Sequence, residues 1–260
     1  MIAYRTIMLC LLAYAGGKAV AQGVDNDCPE GWNSVVEQFL AAEADRDAVA
    51  SSQAVLPSQR EVWKAWKSWE WARASERLSQ LPADVQSRAK AERMKARRQW
   101  MVSNFSCQIQ ASGTDTTYLI QVDPDGRTYR HVVVAQEDMV WGVETRLQSL
   151  SADQKRVVTA YFRAVDEDRW EEAEAWVARA SLPRFAGYRA EVTAFLSGSE
   201  SIMQSRTNQV AHRAAEWDEM FLRATVEEDD VWVVQAEFPS AVKLSCEMME
   251  VDGAWRVIHR

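Results

Sequence analysis

The sequence predicts an α+β protein of two tandem domains, each with three helices packed on a curved antiparallel four-stranded sheet. Residues 117–144 align without a gap on residues 231–258, 114 positions later, pairing Gln121 with Gln235, Asp138 with Asp252, Trp141 with Trp255 and Val143 with Val257. The run Val35-Val36-Glu37-Gln38-Phe39-Leu40 recurs 122 positions later as Val157-Val158-Thr159-Ala160-Tyr161-Phe162. Within each copy the strand patterns follow the helical ones, the order that places helices on one face of an antiparallel sheet. Self-similarity at a fixed period marks a repeated structural unit.

Residues 1–21 read as a secretory signal. Arg5 supplies the charged start, residues 6–15 an apolar stretch, and Ala19-Val20-Ala21 a small-residue cleavage site before Gln22. Ten apolar residues fall short of the roughly 20 needed to span a bilayer. The expectation is a soluble exported protein, in a bacterial periplasm. Losing Arg5 and Lys18 leaves 28 basic against 38 acidic residues, a net charge of −10. That balance argues against nucleic acid or an anionic membrane as partner, since both call for a basic patch. The domains are expected over residues 28–147 and 151–260.

Helix one of each copy carries apolar residues at helical spacing, at Val35, Val36, Phe39 and Leu40 and at Val157, Val158, Tyr161 and Phe162. Pro29 suits a first helical turn, and Ser151 with Gln154 forms a capping box. Both helices run into an acidic bend, Asp45-Arg46-Asp47 and Asp166-Glu167-Asp168. Helix two opens on Ser58 and Glu61, also read as a capping box, and its counterpart spans 184–196. Each follows a Leu-Pro pair, Leu56-Pro57 and Leu182-Pro183. Helix three covers about 83–100, and 200–218 in the second copy. Strands follow at 104–110, 117–123, 129–135 and 139–143, and at 220–226, 231–237, 242–249 and 254–259. Pro124-Asp125-Gly126 and Asp252-Gly253 are turn sequences.

Three cysteines outlast the signal: Cys28, Cys107 and Cys246. The repeat sets Cys246 over the apolar Val132, so it reads as a buried small hydrophobe, and Cys28 pairs with Cys107 in the same copy. A loop of that length contributes about 4–5 kcal/mol in the chain-entropy model. No spacing matches a metal site, and no cofactor is implied.

This order of elements, the acidic bend and the closing phrase Met249-Glu250-Val251-Asp252-Gly253-Ala254-Trp255-Arg256-Val257-Ile258 resemble the nuclear transport factor two-like (cystatin-like) superfamily. The resemblance implies a cone between sheet and helices that holds a small apolar ligand or, in isomerase and dehydratase members, catalytic Asp, His or Tyr groups. In the first copy Tyr129 and His131 share one strand face and Arg130 takes the other, so either the pair or Arg130 points into the cone. Tyr129 and His131 are the candidate ligand-binding pair, set against a solvated place on the convex face. In the second copy Tyr161 has no Asp or His assigned to face it, and His212 and His259 join no triad. That cone reads as filled and unreactive.

Trp63, Trp66, Trp69 and Trp71 crowd helix two, out of 12 tryptophans in all. Aligning the Leu-Pro pairs sets Trp66 over Val192 and Trp69 over Phe195, which predicts core positions. It sets Trp63 over Arg189 and Trp71 over Ser197, so these two are expected at an interdomain contact or, failing that, an exposed partner site. The functional expectation is a non-catalytic exported binding protein of the inhibitor, immunity or envelope-adaptor type, whose partner is another exported protein. The alternatives are a small apolar ligand in the first cone and, last, an isomerase- or dehydratase-like enzyme.

Overall fold

Helices precede strands in each of two blocks along the computed structural model, which describes residues 30–101, 104–112, 115–123 and 130–260. The first block runs α1 Glu30–Asp45, α2 Ala48–Gln53, a 3₁₀ turn Pro57–Gln59, α3 Arg60–Ser79 and α4 Ala83–Met101. It continues with β1 Asn104–Ser112, β2 Asp115–Asp123, β3 Arg130–Glu137 and β4 Val140–Val143. After β5 Leu147–Gln148 come α5 Ala152–Asp166, α6 Trp170–Glu174, a 3₁₀ turn Arg179–Ser181, α7 Leu182–Ser197 and α8 Glu200–Ala214. The block ends with β6 Phe221–Val226, a 3₁₀ turn Glu228–Asp230, β7 Trp232–Glu237, β8 Lys243–Val251 and β9 Ala254–Ile258. The result is an α+β fold with two antiparallel sheets, ordered β1-β2-β3-β4 and β5-β6-β7-β8-β9.

The two blocks repeat bond for bond. Val143 N–H donates to Ala54 O (2.7 Å) and Leu56 N–H to Val143 O (3.1 Å); Val257 N–H donates to Trp176 O (2.9 Å) and Ala178 N–H to Val257 O (2.8 Å). These bonds frame parallel bridges at Val55–Val143 and Val177–Val257. Helical residues thus correspond at 122 positions and strand residues at 114, as the two aligned stretches predict. The acidic bend turns on a left-handed residue in both, Arg46 (φ 56°) and Asp168 (φ 57°). The last hairpins close on left-handed pairs, Asp138-Met139 and Asp252-Gly253, as tight two-residue turns demand.

Three expectations need correction. Each block has four helices among the described residues, because a short helix follows the bend. Asp47 starts α2 by accepting bonds from Val49 and Ala50 N–H, both 3.0 Å, a cap that satisfies otherwise unpaired donors. The second sheet has five strands, because the connection between blocks pairs with its free edge, Leu147 opposite Thr225. Ser58 caps nothing: its N–H and hydroxyl donate to Glu137 Oε2 at 3.1 and 2.9 Å, and α3 starts at Arg60. The Ser151–Gln154 box does form, with Ser151 N–H on Gln154 Oε1 (2.7 Å) and Gln154 N–H on Ser151 Oγ (3.2 Å). The signal segment, Pro29, Tyr129 and the Pro124–Gly126 turn lie outside the described residues, as do Cys28 and the side chains of Cys107 and His131.

The cores sit between helix and sheet in each block. Val36, Phe39 and Leu40 pack with Val132, Val134 and Val143, and Val157, Val158, Tyr161 and Phe162 with Val234, Ala236, Met248 and Val257. Fully burying such a side chain contributes about 1.5–3 kcal/mol. The blocks are joined by α3, which lies against β5 and β6. Trp69 Nε1–H donates to Glu219 O (2.7 Å) and its ring meets Phe221 at 5.9 Å. Arg73 pairs with Glu219 (2.7 Å), Arg77 donates to Pro239 O (2.8 Å), and the Arg223 guanidinium lies 4.9 Å from the Trp66 ring. Gln59 Oε1 accepts from the N–H and hydroxyl of Thr145 at 2.7 and 2.8 Å, which ties the connection to the first block.

A candidate binding site around His259

Residue 259 follows β9, whose path is set by β8 on one side and the Val177 bridge on the other. That placement carries the imidazole to Tyr161 of α5, with 3.0 Å between Tyr161 Oη and His259 Nε2. Phe185 and Tyr188 of α7 stand 5.3 and 5.6 Å from the His259 ring, and Trp170 of α6 packs on both at 6.2 and 6.1 Å. Burial pushes the Tyr161 hydroxyl far above its usual range and the His259 imidazole below its own. The phenol therefore keeps its proton and shares a hydrogen bond with a neutral imidazole, whose tautomer sets which of the two donates. Tyr161 thus has the facing histidine that sequence reading did not find for it.

Residue 259 also borders an open groove of about 760 Å³. Met249, Val251 and Ile258 alternate with the core residues Met248 and Val257, so they face away from α5, and with Val231 they supply the apolar lining. Arg179 and Arg260 bring positive charge to the groove, Asp229 and Asp252 negative. The Cys246 thiol is buried and free, and burial raises it out of reach of ionisation at neutral pH. It behaves as the small hydrophobe expected opposite Val132.

The helix-two tryptophans are distributed otherwise than the Leu-Pro alignment implies. The bridging bonds set α3 over α7 at 122 positions, not 126, so Trp63 corresponds to Phe185 and Trp66 to Tyr188. Trp63 is a core residue at 8% exposure, with Nε1–H on Ser51 Oγ (2.6 Å) and its ring 5.6 Å from Phe39. Trp71 is half-buried, its ring 5.3 Å from the Lys67 ammonium. Lys67 also lies 4.8 and 4.4 Å from the rings of Trp63 and Trp66, and it pairs with Glu43 at 3.0 Å. Trp69 is one of the residues that make the contact between blocks. Phe195, expected in the core, is 67% exposed.

Among the described residues, no group of three or more His, Cys, Asp or Glu side chains is placed to hold a metal ion. No described helix is long and apolar enough to cross a membrane. Comparison with family models, curated proteins and solved structures gives no match for this chain.

The burial of His259 makes stability depend on pH. The folded imidazole titrates below the unfolded value of about 6.5, so the unfolded chain binds the extra proton first. The contribution is fully present above about pH 6.5 and is lost as pH falls through the folded value. Urea midpoints should therefore fall more steeply between about pH 6.5 and 5 in the native protein than in His259→Gln. Equal slopes would show that His259 is not held neutral by the fold.

Proposed function

We propose that the chain is an exported, non-catalytic binding protein built of two tandem cystatin-like domains, and that it captures an extended segment of another exported or envelope protein. The groove beside His259 is the observation that carries this reading. An apolar lining of Val231, Met249, Val251 and Ile258 offers anchor sites for side chains, as the centre of an interface does. Charges of both signs, from Arg179, Arg260, Asp229 and Asp252, suit a polar segment that carries both. The secretory-type start and the repeat-wide resemblance support the localisation and the domain family.

The test is native mass spectrometry of the mature protein isolated from the periplasm of its own host, beside a Met249→Asp variant. The expected result is a polypeptide bound in whole-number ratio to the native protein. It should be absent from the variant, since a charge at a central apolar contact weakens binding by about 30-fold or more. Matching circular dichroism would establish that the variant is folded. A small molecule in place of the polypeptide would replace this reading with ligand binding. Equal capture by the variant would exclude the groove.

A further inference from the structure

The net charge of −8 conceals a basic helix. Within α4 stand Arg88, Lys90, Arg93, Lys95, Arg97 and Arg98 against Asp84 and Glu92, a net +4, so the rest of the chain carries −12. Gln86, Lys90 and Arg93 fall at i, i+4 and i+7 and share one helix face. They line a cleft of about 340 Å³ with Ser87 and, from across it, Arg46 at the acidic bend. Among the described residues no ion pair engages Arg46, Lys90 or Arg93. Three neighbouring carboxylates are engaged elsewhere: Asp84 with Arg88 (2.9 Å), Glu43 with Lys67 (3.0 Å), and Asp47 with the N–H groups that start α2.

The second block shows what this arrangement lacks. There the residue equivalent to Arg46 is Asp168, and the residue equivalent to Ala44 is Asp166. Arg206 of α8, the last helix before that sheet as α4 is before the first, pairs with Asp166 (3.2 Å) and Asp168 (3.6 Å). The second block thus sets two bend carboxylates against two cations of its last helix, Arg206 and Arg213. In the first, one of these positions is an alanine and the other a third cation, around an open cleft. We infer that this cleft binds a phosphate-class anion, whose charge takes the place of the missing carboxylates.

The chemistry fits. A guanidinium presents paired N–H donors to two oxygens of one anion, and a lysine adds a point charge. Ser87 adds a hydroxyl donor in the same lining, while the Gln86 amide is held by the carbonyls of Ser79 (3.3 Å) and Leu81 (2.8 Å). The anion's source is a soluble phosphate ester or a phospholipid headgroup, which share this chemistry.

The full mature protein is titrated calorimetrically with inorganic phosphate at low salt. In parallel it is co-sedimented with vesicles of phosphatidylglycerol and of phosphatidylcholine. Saturable uptake of phosphate, or sedimentation with phosphatidylglycerol alone, supports the site and tells the two sources apart. Arg46→Asp recreates the second block's own carboxylate, and a left-handed bend tolerates aspartate well. That variant should bind the anion at least about tenfold more weakly, as should Lys90→Gln. Binding that is undiminished in both variants, or no response to either probe, overturns the inference.

Discussion

Asp166→Ala should destabilise the second block by about 3–5 kcal/mol, the penalty for removing one member of a buried ion pair. The Asp166 side chain is fully buried, and Arg213, at 5% side-chain exposure, donates to it from Nε at 2.9 Å and again from Nη2. Arg206 adds a bond to Asp166 Oδ1 (3.2 Å) and another to its backbone carbonyl (2.8 Å). Without the carboxylate, the Arg213 guanidinium stays buried with no counter-charge. The duplication separates that penalty from any need of the fold for the pair. Ala44 occupies the equivalent position in the first block, 4% exposed, at the end of an equally formed α1. An Asp166→Ala, Arg213→Met double variant should therefore recover most of the loss, since exchanging a whole buried pair for apolar groups is often neutral. Urea unfolding followed by circular dichroism measures both. A single-variant cost below about 1 kcal/mol would mean that water reaches Arg213 and screens it, as at an exposed pair.

Much of the fold was legible because it rests on local chemistry. The Asp252-Gly253 hairpin, the Ser151–Gln154 cap and the apolar stripe Val157, Val158, Tyr161, Phe162 each depend on residues a few positions apart. The acidic bend was legible in both copies for the same reason. What escaped was too short or too distant. Helices of six and five residues, α2 and α6, span less than two turns and leave no period to detect. Strand β5, two residues long, exists only because β6 offers it an edge. The four-residue slip in matching α3 to α7 has a simple cause. Four residues nearly complete a helical turn of 3.6, so an apolar stripe survives the shift while every individual partner changes. Tyr161 and His259 lie 98 residues apart and meet only once the sheet has formed. Net charge, averaged over the whole chain, obscured the basic face of α4.

Trp66→Ala should cost about 3–5 kcal/mol, the range for truncating a buried tryptophan, and should loosen one block from the other. Trp66 is 9% exposed in the first core, edge-on to Trp63 at 5.1 Å. Two cations approach its ring: Lys67 of its own helix at 4.4 Å, and Arg223 of β6 at 4.9 Å. Removing the indole opens a cavity under α3 and deletes a contact between the blocks. Arg223→Ala removes that cation–π pair, about 0.5–2 kcal/mol, together with the Arg223 contacts to Glu237 (3.4 Å) and Gln235. The two substitutions should couple by a similar amount in a double-mutant cycle, because they delete the same contact. Trp66→Phe makes the sharper comparison. The indole Nε1–H is buried without a partner, and phenylalanine keeps most of the apolar contact while removing that unpaired donor. Its cost should stay below about 1.5 kcal/mol, the range of conservative core exchanges. If the blocks unfold as one unit in the native protein, Trp66→Ala should resolve two transitions in denaturant and Trp66→Phe should not. Equal losses in the two variants would mean that the indole N–H matters to the fold. The joint between the blocks would then rest chiefly on Trp69 and Arg73, whose bonds to Glu219 are unaffected by either change.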